Sequence, residues 1–433
     1  MSKSRLHTFL ALIVVGIGLL LTFLAGLHIY MSSTPPLHPD PQGVPSVTEA
    51  RPSQQWTNAV WQGQQIARAG LAEQSLPGLS VAVGVDDDIV WAEGFGFADL
   101  ENRLPVSPGL RFRIGTASTV LTSAAVGLLL DKGQLKLDEE IQTYVPEFPK
   151  KQWPVTVRQV MGHTAGLRTD GGDESPLFSR HCERPVEALE LFADRPLLFE
   201  PGTQYRYSNY GWILMSAAVE AAADEPFFRF MRTHVFELLG MLDTRPDSAT
   251  DDIAHRVIPY FPRYAADPRY GLHGMREIDY SCYAGASAFL STPSDLVRFG
   301  MAINRDRSGA LSQLLQPGTV RLLQTSQRLS SGEETGYGLG WDLESVTLAG
   351  EETHVVGHDG ESGGGMVASL MTFPERRIVV AVTSNISYAD TFSIGLKIAE
   401  AFAKEGRTIS RSRGGWTSGP DGSLQQLPHP AVR

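Results

Sequence analysis

Apolar positions along the 433 residues fall into three kinds of run. The first is continuous: Phe9 to Leu27 is apolar apart from Thr22, long enough to cross the roughly 30 Å hydrocarbon core of a bilayer. The second has helical spacing. Trp56 to Ala72 reads as a helix, and Leu121, Ala124, Ala125, Leu128 and Leu129 place one apolar face on another, which Gly133 ends. The third is β-rich. Leu79–Val85 and Ile89–Ala98 are two strands joined by a turn at Asp86-Asp87-Asp88, and His354–Gly357, Gly365–Phe373 and Ile378–Thr383 are three more. A closing helix spans Asp390–Lys404. Residues from about 135 to 300 read as helices and loops, with helical stretches at Pro185–Ala193, Trp212–Ala223 and Phe227–Leu239. This order predicts an α+β fold: one antiparallel sheet built from the N- and C-terminal segments, flanked by helices, with a helical region inserted between its strands. A functional cleft is expected between the sheet and that inserted region.

The division expected along the chain follows from these runs. Residues 1–31 are a cytoplasmic stub and a transmembrane anchor. Lys3 and Arg5 precede the apolar run and no Lys or Arg follows until Arg51, so the N-terminus stays inside. The competing reading, a cleaved signal peptide, calls for a shorter apolar stretch and an A-x-A-like site, where this chain reads HIYMSSTPP. Residues 32–54, Pro-rich and polar, are expected to be an extended tether. Residues 55–405 are the folded domain, with its helical part at about 120–300, and 406–433 form a tail without fixed structure. The domain then lies outside the cytoplasm, periplasmic or extracytoplasmic in a bacterium and lumenal or intermembrane otherwise.

Composition narrows the function classes. Apolar residues at 42% and charged residues at 20% describe a folded protein. A net charge of −11 and aromatics without a basic track exclude a nucleic-acid partner. Cys182 and Cys282 form no zinc or Cys-rich framework; two buried free thiols are expected, with pairing in an oxidising compartment as the alternative. No Gly-rich phosphate loop follows a strand and no ligand set has metal spacing, so no metal or other cofactor is expected. His163 is read as holding its loop by hydrogen bonds.

The candidate chemistry centres on Phe112–Thr122, FRIGTASTVLT, which puts Thr116, Ser118 and Thr119 on the first turn of a helix, where free N–H groups and the positive dipole end collect. With GFGFADLENRLPV (94–106), KGQLKLDEEIQTYVPEFP (132–149), VRQVMGHTAGL (157–167), PGTQYRYSNYGWIL (201–214), FLSTPSDLVRFG (289–300) and VVGHDGESGGG (355–365), this stretch resembles the serine β-lactamase-related family. That family includes class C β-lactamases, D-alanyl-D-alanine carboxypeptidases, related esterases and LACTB-type proteins. The resemblance covers roughly Gly78 to Lys404, and 94–106 and 132–149 look nearest to the LACTB-type branch.

The resemblance implies a β-lactamase/transpeptidase-like fold and three catalytic elements. Tyr207-Ser208-Asn209 matches Tyr-x-Asn, so Tyr207 would be general base or acid and Asn209 would position substrate. His358-Asp359-Gly360 matches His-x-Gly, placing Asp359, Gly360 and Glu361 at the substrate strand, with the Glu361 and Thr116 amides as oxyanion donors. The first element departs from Ser-x-x-Lys, because Thr116 and Thr119 stand at the serine and lysine positions. Internal threonine lacks the free amine that activates known threonine nucleophiles. A degenerate, serine-hydrolase-like protein that binds a small-molecule or peptide ligand, or a protein partner or copies of itself, is therefore expected. The alternative is an active ester, peptide or β-lactam hydrolase using Thr116 or Tyr207-activated water. YAGASA at 283–288 stands where the family has glycines and is expected to narrow the cleft.

Overall fold

A computed structural model describes residues 3–32, 37–49, 54–168, 175–178, 180–247, 255–264, 267–275, 278–304, 314–413, 416–418 and 424–426. Helix α1 (Lys3–Ser32) contains the apolar stretch Ala11–Ile29, none of it buried in the protein and long enough to span a bilayer.

The sheet is the frame on which the rest is mounted. Its strands are β1 (Ser46–Thr48), β2 (Gly78–Val85), β3 (Asp88–Asp99), β4 (Asp342–Leu348), β5 (Glu351–Ser362), β6 (Met366–Phe373) and β7 (Ile378–Ser384). They run in the order β1-β3-β2-β7-β6-β5-β4, every pair antiparallel, with Leu104–Pro105 added to β3. N-terminal β2 pairs directly with C-terminal β7, Ala82 opposite Ala381, so the two ends of the domain share one sheet as the patterning predicted. β2 and β7 are buried along their whole length. That is why they read as continuous apolar runs rather than as alternation.

Helices cover both faces. α2 (Thr57–Gln74) and α6 (Thr391–Arg413) pack on one side, where Leu79, Val81, Val83, Val380 and Val382 meet Ile394, Ile398 and Phe402. On the other side lie α3 (Ser118–Asp131), α4 (Asn209–Ala223) and α5 (Pro293–Ile303). α3 carries more than the single inward face its spacing predicted: Ser118 through Gly127 are all buried. It is the central helix of the inserted region, and Gly133, at φ +67°, closes it in the left-handed conformation.

Several expectations change. Residues 185–191 form a 3-10 helix, and 227–239 divide into α, π and 3-10 turns. Tyr260–Tyr264 and Asp267–Gly274 pair as a hairpin inside the part expected to be helical. α6 continues nine residues beyond Lys404 into the expected tail. The remainder of that tail lies mostly outside the described residues. The expected tether is fastened over residues 37–49. His38 donates to the Leu76 carbonyl at 2.7 Å, Arg68 to that of Val44 at 2.5 Å, and β1 pairs with Glu93–Phe95. A Pro-rich composition signals extended chain, but not that an open sheet edge is available to pair with it.

Cys182 and Cys282 form a disulfide, which corrects the expectation of free thiols. Periodicity could not show this, because the two cysteines are brought together from 100 residues apart. A closure of that length constrains the unfolded chain strongly. A Cys182→Ser/Cys282→Ser variant is expected to lose about 3–5 kcal/mol, read as the shift in a urea midpoint. An unchanged midpoint would mean that the bond contributes nothing in solution.

Candidate functional site

The site forms where the end of β5 presses against the start of α3. Phe112–Arg113 pairs with Phe289–Ser291 and leads into the tight turn Gly115–Ala117. Two glycines make the approach. Gly115 has φ +53°, and a Cβ on it would lie 2.5 Å from the Glu361 carbonyl carbon. A Cβ on Gly360 would lie 2.0 Å from the Ile114 oxygen and 2.4 Å from the Ala117 nitrogen. Any side chain at either position forces the backbones apart. The Thr116 and Glu361 amides thereby share one seam.

Thr116 is partly exposed at that seam, and its hydroxyl donates to the Asp359 carbonyl at 3.1 Å. Thr119 is fully buried one turn on. Its hydroxyl meets the Tyr337 phenol without forming a well-shaped hydrogen bond. Ser118 is buried too, its hydroxyl without a partner among the described residues, so it is no substitute nucleophile.

His358 is held from both sides. Nδ1 lies 2.5 Å from the Asp359 carbonyl oxygen, which can only accept, so Nδ1 carries the proton. Nε2 then accepts from the Tyr337 hydroxyl at 3.0 Å. Burial, with Tyr207, Asp342 and Tyr205 adding to it, pushes the Tyr337 pKa well above the usual phenol range and keeps it a donor. Sequence reasoning did not single out Tyr337, which sits in the glycine-rich run GYGLG and reads there as a turn residue.

Tyr207 lies in the loop before α4, with Asn209 the first residue of that helix. Its ring packs 4.1 Å from that of His163, 6.0 Å from His358 and 6.3 Å from Tyr337, centroid to centroid. His163 holds this loop as its motif suggested. The Ser208 amide donates to Nδ1 at 3.1 Å, and the Arg206 amide donates to the His163 carbonyl at 2.8 Å. Trp212 Nε1 also faces Nε2 at 3.3 Å, but a neutral ring has one acceptor nitrogen and the shorter contact takes it. Burial, with His358 adding, lowers the His163 pKa well below 6.5.

The pH consequence has a definite sign. Between the lowered folded pKa and about 6.5 the unfolded chain binds a proton that the folded chain does not. The stability held by neutral His163 is thus present above about pH 6.5 and is lost as pH falls below it. A His163→Gln variant, which still offers an acceptor but does not titrate, should show a shallower fall in Tm between pH 7 and 5; parallel curves would assign the titration elsewhere. Asp359 acts in the opposite sense. Burial of its carboxyl, opposed by the Ser369 hydrogen bond and by His358, moves it up to about 6. That stability is lost as pH rises through about 6, and it cancels between the two proteins.

Asp359 and Glu361 turn their side chains away from the seam. Along β5, His358 and Gly360 face α3, so the intervening Asp359 and Glu361 present their side chains to the other face. Asp359 pairs with Ser369, whose hydroxyl meets Thr391 at the start of α6 at 2.7 Å, and Glu361 accepts from the Tyr388 amide. Burial raises the Glu361 pKa. Only the backbone of these two residues reaches the seam. Nor does 283–288 form a rim. All six residues are buried, and Gly285 accepts the Thr122 hydroxyl at 2.9 Å, so they pack α3 against α4.

A buried ionic cluster, also not read from the sequence, lies under the β5–β6 turn. Asp247 accepts from Arg113 Nε at 2.5 Å and from Arg256 Nη1 at 2.8 Å, while Arg113 stacks over Tyr280 at 4.7 Å. A Ser-His-Asp set at Ser281, His181 and Asp279 lacks relay geometry, since both partners approach Nδ1, at 3.3 and 2.7 Å.

Residues 64–403 match the model of the family described as Beta-lactamase. The chain belongs to the beta-lactamase family. Bovine "Serine beta-lactamase-like protein LACTB, mitochondrial" is 26% identical over 434 residues, covering 77% of each chain. Bacillus subtilis (strain 168) "Penicillin-binding protein 4*" is 24% identical over 323 residues, covering 72% of this chain and 69% of its own. The octameric penicillin-binding protein homologue from Pyrococcus abyssi superposes with a TM-score of 0.67 at 23% identity, over 82% and 80% of the two chains. These likenesses confirm the predicted β-lactamase/transpeptidase-like fold.

Proposed function

We propose that this member of the beta-lactamase family is anchored in a membrane by α1 and binds a small-molecule or peptide ligand in the family cleft without acyl-enzyme chemistry. The observation that carries this reading is where the protons lie. The Thr116 hydroxyl donates its hydrogen bond to a backbone carbonyl, and His358 has both ring nitrogens engaged. Thr119 offers no amine, so a nucleophile at 116 has no cation or base of the kind that activates serine or threonine. The cleft's other parts, Tyr207, Asn209 and the Thr116–Glu361 amide seam, are those of a binding site.

The disulfide supports placing the domain outside the cytoplasm, since such bonds persist in oxidising compartments. The test is covalent labelling by a fluorescent fluorophosphonate and a fluorescent penicillin, with wild type beside Thr116→Ala. Labelling of wild type that disappears in Thr116→Ala would make this a threonine hydrolase and end the proposal.

A further inference from the structure

We propose that the β1 edge of the sheet, with Trp61 and Leu104 on either side of it, is the face of the domain that seats on the lipid bilayer. This rests on the reading of α1 as a membrane anchor. The first observation is how soon the chain is fastened after it leaves that helix. Six residue steps separate Ser32 from His38, a reach of at most about 21 Å when fully extended. His38 is already buried, bonded to Leu76 and stacked on Phe97 with centroids 6.5 Å apart. Arg68 then clasps the next residues, donating to the Val44 carbonyl and, at 3.0 Å, to Ser46 Oγ. A free tether of 20 residues would let the domain turn in any direction; a clasp this close to the helix end leaves one edge facing the membrane.

The surface at that edge has the chemistry of an interfacial seat. Trp61, Gln65 and Arg68 lie on one face of α2, being spaced i, i+4 and i+7. Gln65 is bonded to Gln42 at 2.8 Å and Arg68 to residues 44 and 46, so Trp61 continues the face that the clasp covers. It is 58% exposed. On the other side of His38, Arg103 lies over the Phe97 ring at 5.3 Å, and its neighbour Leu104 is 50% exposed. Trp61 and Leu104 put apolar side chains at this edge. At the headgroup level they are favourable, and there Trp anchors and Arg meets phosphate. Asp99 and Glu101 share this rim, so a zwitterionic surface suits it better than a strongly anionic one.

The seat fixes where the cleft opens. β5, which carries His358, stands five strand spacings from β1 in the sheet order, about 24 Å at roughly 4.8 Å each. The cleft therefore opens beyond the headgroups, and its ligand comes from the aqueous phase or from a structure layered over the membrane.

The experiment uses the full-length chain in phosphatidylcholine vesicles, with a photoreactive benzoylphenylalanine replacing Trp61, Leu104 or, as control, the exposed Ser345 of β4 at the opposite edge. The expected result is lipid adducts at 61 and 104 several-fold above those at 345. Vesicle flotation with equal adducts at all three positions would overturn the seat and leave the anchor standing. Failure to float with the vesicles would overturn both.

Discussion

Installing serine at 116 and lysine at 119 is expected to turn on covalent chemistry in the cleft. A Thr116→Ser/Thr119→Lys variant should be labelled by fluorescent penicillin where the wild type is not. Its hydrolysis of small activated esters should rise at least about a hundredfold, the low end of what positioned general acid–base groups supply. A serine at 116 sheds the β-methyl that crowds attack while keeping the seam with Glu361, since neither Gly115 nor Gly360 is touched. A lysine at 119 grows from a fully buried position beside the Tyr337 phenol. Burial disfavours its charged form, so it should hold a lowered pKa and act as a base near neutrality. Tyr207→Phe in the same background should remove most of the gain if the tyrosine relays the proton.

Each arm of this experiment bears on one residue. Labelling of the double variant alone would show that the cleft has kept its shape and lost only the pair. Thr116→Ser alone should stay near background, because a serine without the amine is no better activated than the threonine. If the double variant stays dark while its Tm matches wild type, the Tyr337–His358 bond becomes the next suspect. It engages the imidazole Nε2 and packs against the volume a lysine must enter.

What the sequence made legible follows from how local each signal was. The sheet was readable because β2 and β7 are buried on both faces and so are apolar without interruption. His163 was readable as a loop holder, and the candidate site positions were named through motifs whose spacing places them on a strand end or helix start. Tyr337 was not, because its role comes from a fold that carries a turn residue against α3 and β5. Asp359 was placed in the site by adjacency and Glu361 by its backbone amide, and strand alternation turns both side chains away. The clasp at 37–49, the disulfide and the Asp247 cluster share one property: each joins segments far apart in sequence.

That cluster yields the largest expected loss of stability. Asp247 bridges Arg113 and Arg256, and all three side chains are nearly inaccessible, at 1%, 0% and 6%. Asp247→Ala removes the buried carboxylate that both guanidiniums share, a change that typically costs about 3–5 kcal/mol. A guanidinium cannot escape by releasing its proton, so the cost must appear as unfolding or rearrangement. Arg113 occupies the strand that feeds the Gly115 turn, and a Cβ on Gly364 would lie 2.9 Å from its Nη1, so the β5–β6 turn rests on it. The variant should therefore lose the cleft before it loses the α2–α6 side of the sheet. Urea denaturation followed by tyrosine and tryptophan fluorescence measures the total. Hydrogen exchange at residues 358–366 against 78–85 measures the order. Replacing all three residues by apolar side chains of similar volume should recover most of the loss, since the penalty lies in the uncompensated charge. Equal destabilisation in the single and triple variants would instead make shape, not charge, the role of Asp247.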